Sequence, residues 1–342
     1  MTKPSMHDSL PFDEATSLSL ISTGELPEAE YVAGVVTEAY ERYRSNDDGA
    51  VADYIPALAS ARPELFGICV VGARGRFFEI GDVETAFSIQ SVSKAFVFAL
   101  VCEAIGYETA RDRLGVNSTG FPFNSLMAVE LNEDRTMNPL VNAGAIATTS
   151  LVPGTSADEK WQRIREGLSR FAGRELTMSS DVYQSESASN QRNQGIAHLL
   201  ASYGRLYFDP DEATDVYTRQ GCLLVTAEDL ALMGATLADG GVNPVTHRRV
   251  VSEDTCRRTL ALMLTAGLYE RSGEWLYEIG LPGKSGVSGG IVTIAPGKGG
   301  MATFSPPLDA AGNSVRGQLV TKLLSEALGL DILASRAVAE VP

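Results

Sequence analysis

The chain has 342 residues, of which 44% are apolar, and it carries a formal net charge of −15. This length suffices for one large domain with a full core, and the composition is that of an ordinary globular protein. The acidic balance argues against nucleic acid as a partner, because binding a phosphate backbone needs a basic face. No apolar run is long enough to cross a bilayer, and residues 1–25 lack the apolar core of a signal peptide. We therefore expect a cytoplasmic protein with no membrane partner.

The cysteines and histidines show no pattern typical of a metal site. Cys69, Cys102, Cys222 and Cys256 are scattered, without a C-x-x-C pair, and three of them lie in apolar stretches typical of buried free thiols. The three histidines are too few and too dispersed for a His-rich metal site or for a local Ser-His-Asp signature. We expect neither a metal site nor a disulfide framework.

The first part of the chain predicts an arm, a helix, a hairpin and a buried helix, in that order. Residues 1–24 have mixed polarity and no sustained period, which is typical of a loosely ordered arm. Residues 31–40 place apolar side chains at helical spacing, and residues 66–80 predict a β-hairpin. The strongly apolar stretch 91–105 predicts a buried helix that ends at Gly106.

The middle of the chain is predicted to be mainly helical, and strands return near its end. Thr226 and Ser252 each precede a helical pattern as capping residues. After Gly280 the pattern changes: residues 291–304 predict a second hairpin, and residues 320–328 predict a closing helix.

Strands near both ends with helices between them predict an α+β fold of the α/β/α sandwich type. The economical arrangement joins the two hairpins in one central antiparallel sheet, packs the terminal helices against it, and gathers the central helices into a lobe. The main domain then spans residues 25–332, with the sheet layer from 25–90 and 280–332 and the helical lobe from about 91–279. A tail follows at 333–342. A cleft between sheet and lobe is the natural place for a site.

Ser91 and Lys94 form the one S-x-x-K sequence of the chain. Positions i and i+3 share a helix face, so the hydroxyl and the amine can hydrogen-bond, and a helix start favours a developing negative charge on the serine. Burial in an apolar helix lowers the pKa of a lysine and lets it act as a base. These are the parts of a serine nucleophile activated without histidine. The alternative, which S-x-x-K alone favours, is that Ser91 only caps the helix and that Lys94 extends its amine to solvent.

Lys284, Ser285 and Gly286 open the strand before the second hairpin. A Lys-Ser/Thr-Gly strand facing an S-x-x-K serine is typical of penicillin-recognising enzymes and β-lactamases, and small residues let backbone N–H groups approach a substrate carbonyl. A phosphate loop is excluded because it would need a glycine where the chain has Glu278. The alternative is a glycine-rich turn that leads into the hairpin.

Four further polar residues are weaker candidates. Tyr217 could supply a hydroxyl near Ser91, although a tyrosine beside a helix is more often part of the core. Glu186 and Asn193 are seven residues apart and share a face if that segment is one helix, while Asn142 interrupts a small, apolar run. The last three can equally be solvated side chains or helix caps.

From about residue 54 to residue 317 the chain resembles the glutaminase family of bacteria and animals. The matching segments occur in order: 54–56, 88–94, 131–133, 137–146, 184–186, 192–193, 235–241, 267–269, 280–287 and 305–309. The resemblance implies a serine β-lactamase/DD-peptidase-like fold. One departure is residues 117–120, Asn-Ser-Thr-Gly, where the family usually has Glu-Pro-Ser-Gly.

The resemblance also implies roles for individual residues. Ser91 is implied as the nucleophile, Lys94 as its base, and Tyr217 as an aid to proton transfer. The N–H groups of Ser91 and Val287 suit an oxyanion hole, and Lys284 and Gly286 are supporting residues. The implied substrate contacts are Tyr54, Ser91, Asn142, Glu186, Asn193, Tyr217, Tyr269 and Val287. A glutamate suits a substrate α-ammonium, and Asn and Tyr donors suit an α-carboxylate.

The implied reaction is hydrolysis of L-glutamine to L-glutamate and ammonia through an acyl-enzyme on Ser91, with no metal or organic cofactor. The family tends to form dimers or tetramers, so we expect a homodimer or homotetramer. One alternative is a β-lactamase or cell-wall peptidase, against which the missing export signal counts. Another is a non-catalytic sensor that binds an amino acid, against which the intact Ser91, Lys94, Tyr217 and Lys284 count.

Overall fold

The computed structural model describes residues 25–133, 135 and 138–335. The predicted arm at 1–24 and most of the predicted tail lie outside these residues. The α-helices are α1 Ala29–Tyr43, α2 Pro56–Ala59, α3 Ser93–Ile105, α4 Tyr107–Leu114, α5 Leu126–Leu131, α6 Asn142–Leu151, α7 Ala157–Ala172, α8 Ser180–Ser187, α9 Gln191–Ser202, α10 Pro210–Gly221, α11 Ala227–Ala238, α12 Glu253–Ala266, α13 Ser272–Ile279 and α14 Val315–Ala327.

The strands are β1 Gly67–Gly72, β2 Phe77–Gly81, β3 Phe87–Ser88, β4 Leu224–Val225, β5 Gly283–Ser285, β6 Gly290–Ala295 and β7 Gly299–Phe304. Two short 3-10 helices, Gln90–Val92 and Tyr269–Arg271, both lie near the candidate site. No helix in the described part of the chain is long and apolar enough to cross a membrane.

The central sheet has five strands in the order β2-β1-β7-β6-β5, and all its neighbours are antiparallel. The two predicted hairpins, β1–β2 and β6–β7, are confirmed. They are joined as predicted, because β1 pairs with β7 in a register that places Val70 opposite Met301. The sequence-distant ends of the chain therefore build one sheet.

Side chains of the buried strands alternate between two cores, as the two-residue period of a strand requires. Ile68 and Val70 of β1 face a core formed with α1 and α14, the terminal helices. Cys69 and Val71 face the larger core, which α3, α6, α7, α10, α11 and α12 also build. The predicted α+β architecture, a central antiparallel sheet flanked by helices with a helical lobe, is confirmed. The residue ranges of its layers stay a prediction.

Helix α11 covers the inner face of the sheet and packs closely on β7. Thr226 and Asp229 form a complete capping box at its start, which satisfies N–H groups of the first turn. A Cβ atom added at Gly300 would lie 2.3 Å from both the Ala231 carbonyl oxygen and the Ala235 nitrogen, so only a glycine lets the two backbones approach this closely.

We predict that Gly300→Ala lowers the free energy of unfolding by about 1–3 kcal/mol, because backbone atoms on both sides cannot move away from the new methyl group. Gly34→Ala is the matched control: position 34 lies inside α1, and an added Cβ meets nothing within 4 Å. There the substitution should stabilise by about 0.5–1 kcal/mol. Urea unfolding of the three proteins measures both effects. Equal midpoints for Gly300→Ala and the parent would contradict the close packing.

Candidate active site

Ser91 and Lys94 lie where the short 3-10 helix Gln90–Val92 continues into α3. Gln90, the residue before Ser91, has a φ of 50°, a left-handed conformation that costs energy for a residue with a side chain. The Ser93 hydroxyl donates to the Gln90 carbonyl (2.7 Å) and helps to hold this turn. The strained turn therefore fixes the orientation of Ser91 at the start of the helix.

Lys94 is buried, with a side chain only 2% exposed. Its amine donates to Asn142 Oδ1 (2.7 Å) and lies near the rings of Phe123 (5.9 Å) and Tyr217 (5.8 Å). Burial lowers the pKa of Lys94 to about 7, against the charge of Glu186, which raises it. A substantial fraction of the amine is therefore neutral near pH 7 and able to accept a proton.

The direct Ser91–Lys94 hydrogen bond that the S-x-x-K spacing allows is not formed. In the described structure Ser91 hydrogen-bonds Tyr269 instead. Tyr269 also has a positive φ, 56°, and its hydroxyl donates to the Ser285 carbonyl (3.3 Å). Burial raises the pKa of Tyr269 to about 12, against hydrogen bonds with Ser91 and Ser285 that lower it.

Asn142 links three helices at the site. It begins α6, and its Oδ1 atom accepts from the Lys94 amine and from the Tyr217 hydroxyl on α10 (3.2 Å). Its Nδ2 atom donates to Asn193 Oδ1 on α9 (3.0 Å). Burial raises the pKa of Tyr217 well above the usual value of a tyrosine, so this hydroxyl keeps its proton. The structure thus brings Lys94, Asn142, Asn193 and Tyr217 into one hydrogen-bonded set.

The sequence predicted that Glu186 and Asn193 share a helical face if one helix contains both residues. The structure has two helices there, so the two residues do not share a face. Glu186 belongs to α8 and Asn193 to α9, and residues 188–190 separate the two helices. Glu186 Oε1 accepts from Gln90 Nε2 (2.5 Å) and from the Cys222 thiol (3.7 Å). Burial raises the pKa of Glu186, while these donors and Lys94 lower it. The carboxylate is therefore held in place before any ligand arrives.

Lys284 and the loop after β5 form the opposite wall of the site. Lys284 is fully buried; its amine donates to the Ser285 carbonyl (2.7 Å) and lies over the Tyr269 ring (4.3 Å). Burial lowers its pKa well below the usual value, and the nearby Lys94 lowers it further. Two buried amines thus lie near one another, and each is most stable without its charge.

Gly286 and Val287 bring backbone close to Ser91. A Cβ atom added at Gly286 would lie 3.0 Å from the Ile89 carbonyl oxygen and 3.3 Å from Gln90 Cβ, so β5 packs tightly against the 3-10 helix. The Ser288 hydroxyl donates to the Ser88 carbonyl (2.7 Å) and fastens the same contact. Among the described residues, the Val287 N–H has no backbone acceptor. Such an unpaired N–H beside the serine is suited to bind an oxyanion.

Tyr54 lies at the rim, just before α2, with 58% of its side chain exposed. Partial desolvation of its hydroxyl raises the pKa of Tyr54, and the nearby charges of Tyr269 and Glu186 raise it further. Every candidate residue named from the sequence thus lies at or beside this site. Two residues were missed: Gln90, which holds Glu186, and Phe123, whose ring contacts that of Tyr269 (centroids 4.7 Å apart). Gln90 lies inside the matched segment 88–94, whereas Phe123 had no local signal in the sequence.

In the described part of the chain, no group of three or more His, Cys, Asp or Glu side chains could hold a metal ion. The site instead offers a hydroxyl, a neutral amine, fixed amides, one carboxylate and an unpaired N–H. Such a set suits acyl transfer to a serine.

We predict that one lysine resonance titrates near pH 7 in protein labelled with ¹³C at lysine Cε, because burial lowers the pKa of Lys94 to about 7. The chain has only six lysines, so single substitutions can assign the spectrum. The pH-7 transition should vanish in Lys94→Met and persist in Lys322→Met, whose partner Glu278 raises its pKa. A Lys94 resonance that titrates near 10 would contradict the buried, neutral amine.

Comparisons with known proteins identify the family. Residues 49–333 match the protein-family model for glutaminases. The chain is 57% identical to "Glutaminase 2" of Yersinia pestis over 333 residues, which cover 97% of this chain and 98% of that protein. It is 52% identical to "Glutaminase" of Brucella canis over 288 residues, or 84% of this chain and 91% of the relative.

Solved structures agree with the sequence matches. A protein described as the probable glutaminase ybaS superposes with a TM-score of 0.89 at 45% identity, covering 90% of this chain and all of that one. A Bacillus subtilis glutaminase, YbgJ, solved as a covalent complex with 5-oxo-L-norleucine, gives a TM-score of 0.76 at 31% identity and covers 89% of this chain and 98% of that one. The chain belongs to the glutaminase family, with its serine β-lactamase-like fold.

Proposed function

We propose that the chain hydrolyses L-glutamine to L-glutamate and ammonia through an acyl-enzyme on Ser91, with Lys94 as the base. Membership of the glutaminase family gives the reaction. The observation that carries the mechanism is the buried amine of Lys94, which has a pKa of about 7 and lies one helical turn beyond the serine. A lysine with an ordinary pKa would be protonated at neutral pH and could not serve as a base.

The proton path follows from the pKa directions. Lys94 accepts the Ser91 proton as the hydroxyl attacks the γ-carboxamide carbon, because Tyr217 holds its own proton too firmly to act as the base. The C–N bond then breaks, and ammonia leaves with the proton that Lys94 carries, with Tyr217 assisting the transfer. Water next attacks the ester carbon and gives its proton to Lys94. Release of glutamate returns the proton to Ser91.

Negative charge develops on the carbonyl oxygen in both steps. The N–H groups of Val287 and Ser91 are proposed to donate to it, and the unpaired state of the Val287 N–H supports this role. Gly286 is a supporting residue, because a side chain there would push β5 away from Ile89 and Gln90. Lys284 supports the same wall from behind Tyr269.

Polar groups around Ser91 are proposed to bind the α-ammonium and α-carboxylate groups of glutamine. Glu186 is proposed to bind the α-ammonium, and Gln90 holds its carboxylate in place. The raised pKa of Glu186 shows that its buried charge lacks full compensation, which a bound ammonium would supply. The proposed contacts to the α-carboxylate and the rest of the substrate are Tyr54, Asn142, Asn193, Tyr217 and Tyr269.

A relative supports the covalent intermediate. The Bacillus subtilis glutaminase was solved as a covalent complex with 5-oxo-L-norleucine, formed by reaction with 6-diazo-5-oxo-L-norleucine. This compound carries the carbon skeleton of glutamine with carbon in place of the amide nitrogen. A nucleophile on the protein that bonds to such a molecule is what an acyl-enzyme mechanism requires.

We further propose a homodimer or homotetramer in the cytoplasm. Leu126, Met127 and Leu131 expose apolar surface on α5, which supports association of chains. The four cysteines, all in the described part of the chain, are buried and unpaired, which suits a reducing compartment.

We predict that Ser91→Ala lowers kcat for ammonia release from L-glutamine by about four orders of magnitude or more, because the covalent step is lost. Ser60→Ala, a serine at the exposed end of α2, is the matched control and should keep full activity. L-asparagine and a chromogenic β-lactam serve as alternative substrates. Ammonia release that survives in Ser91→Ala would contradict the nucleophile, and glutamine binding without turnover by the parent would favour the sensor. Cleavage of the β-lactam in place of glutamine would favour a lactamase.

We predict that kcat/KM falls about tenfold per pH unit below pH 7, because protonated Lys94 cannot accept the serine proton.

Glu186→Gln should raise KM by about ten- to a hundredfold through loss of a charged hydrogen bond. It should also move the acid limb to lower pH, because the Glu186 charge raises the pKa of Lys94. Glu64→Gln on the surface is the control. An unmoved limb in Glu186→Gln would show that a group other than Lys94 titrates there.

A further inference from the structure

A second cavity of about 720 Å³ lies between α3, α7 and the turn before Val250, away from Ser91. Five apolar residues line it, and we call them its apolar floor: Leu100, Val101 and Ala104 from the second half of α3, with Val152 and Ile164. A Cβ atom added at Gly167 would lie 2.3 Å from Leu100 Cδ1, so α3 and α7 are in close contact at this floor. The volume falls within the range of small-molecule sites.

The walls of this cavity are basic, although the chain as a whole has a net charge of −15. Two glutamates, Glu166 and Glu175, also line it. The arginines that line it are Arg163, Arg165, Arg170, Arg174 and Arg248. A local excess of guanidinium groups on an acidic protein attracts anionic ligands and raises their local concentration.

Arg165 and Arg174 have acidic partners, whereas Arg170 and Arg248 have none in the described part of the chain. Arg174 pairs with Asp229 through Nε (2.8 Å) and Nη2 (2.5 Å), and Arg165 pairs with Glu175 (3.3 Å). Within the described ranges, the Arg170 and Arg248 guanidinium groups have no hydrogen bond or ion pair.

Asn243 holds the backbones of Arg170 and Arg248 together. Its side-chain amide donates to the Arg170 carbonyl (3.3 Å), and its backbone N–H donates to the Arg248 carbonyl (3.0 Å). Asn243 is fully buried, so this link is part of the packed structure rather than of a mobile surface. The backbones of the two arginines are therefore held near each other, and their exposed side chains both line the cavity.

We propose that this cavity binds an organic polyphosphate of the nucleoside diphosphate class. The planar guanidinium groups of Arg170 and Arg248 match phosphate oxygens in paired, charge-assisted hydrogen bonds. The apolar floor at Leu100 and Val152 offers a contact surface to the flat face of a nucleobase. Gln162, Ser169 and Thr246, which also line the cavity, supply polar groups for the sugar and the base edge.

The test is isothermal titration calorimetry with ADP as the probe on the full chain. The parent protein should bind one ADP saturably. The double variant Arg170→Ala/Arg248→Ala should raise Kd about tenfold or more, which is the loss of affinity expected when charged hydrogen bonds are removed. Arg257→Ala, an exposed arginine on α12 outside the cavity, is the matched control and should keep the parent Kd. Unfolding midpoints and glutamine turnover equal to the parent show that the double variant is folded.

Two further probes separate the parts of the ligand. Adenosine lacks phosphates and pyrophosphate lacks the base, so each should bind at least about tenfold more weakly than ADP. Equal Kd values for the parent and the double variant would overturn the proposal, as would adenosine binding as tightly as ADP or no saturable heat from the parent. Pyrophosphate binding as tightly as ADP would overturn the role of the apolar floor. None of these binding readouts depends on the proposed catalytic mechanism.

Discussion

The candidate site depends on one buried amine. Lys94 lies in an apolar helix, and removal of its amine from water lowers its pKa to about 7. Asn142 Oδ1 accepts one N–H of the amine, and the rings of Phe123 and Tyr217 lie 5.9 Å and 5.8 Å from it. A neutral amine keeps its lone pair, and that lone pair is what the proposed proton transfer from Ser91 requires. In the proposed mechanism, the other residues of the site either position this amine or bind the substrate that Ser91 attacks.

Backbone strain at the site is held by the rest of the fold. Gln90 and Tyr269 both adopt a left-handed conformation, and they flank Ser91 from two different chain segments. Strain of this kind persists only where surrounding structure fixes it. Here the fixing contacts are the close approach of Gly286 to Ile89 and the hydrogen bond from Ser288 to the Ser88 carbonyl. The edge strand β5 thus positions the serine as much as α3 does.

Close backbone packing also explains how a site so rich in buried polar groups is tolerated. Gly300 lets the backbone of α11 lie directly on β7, and Gly167 leaves room on α7 for the Leu100 side chain of α3. These contacts make the sheet and the lobe one packed body around Lys94, Lys284 and their partners. Burial lowers the pKa of both lysines, and the nearby Lys94 lowers that of Lys284 further. A loose scaffold would admit water, and both amines would regain their charge.

The sequence by itself determined the elements and the chemistry-bearing pair. The two-residue period fixed both hairpins, the apolar run and Gly106 fixed α3, and the S-x-x-K spacing placed Ser91 and Lys94 on one turn. Tertiary structure alone decided which groups these residues touch: Lys94 meets a residue 48 positions away, and Gln90 meets Glu186 across 96 positions. Tertiary structure also determined that Glu186 and Asn193 belong to two separate helices. Periodicity and capping describe contacts within a few residues, whereas these partners are set by how whole helices pack against a sheet built from both ends of the chain.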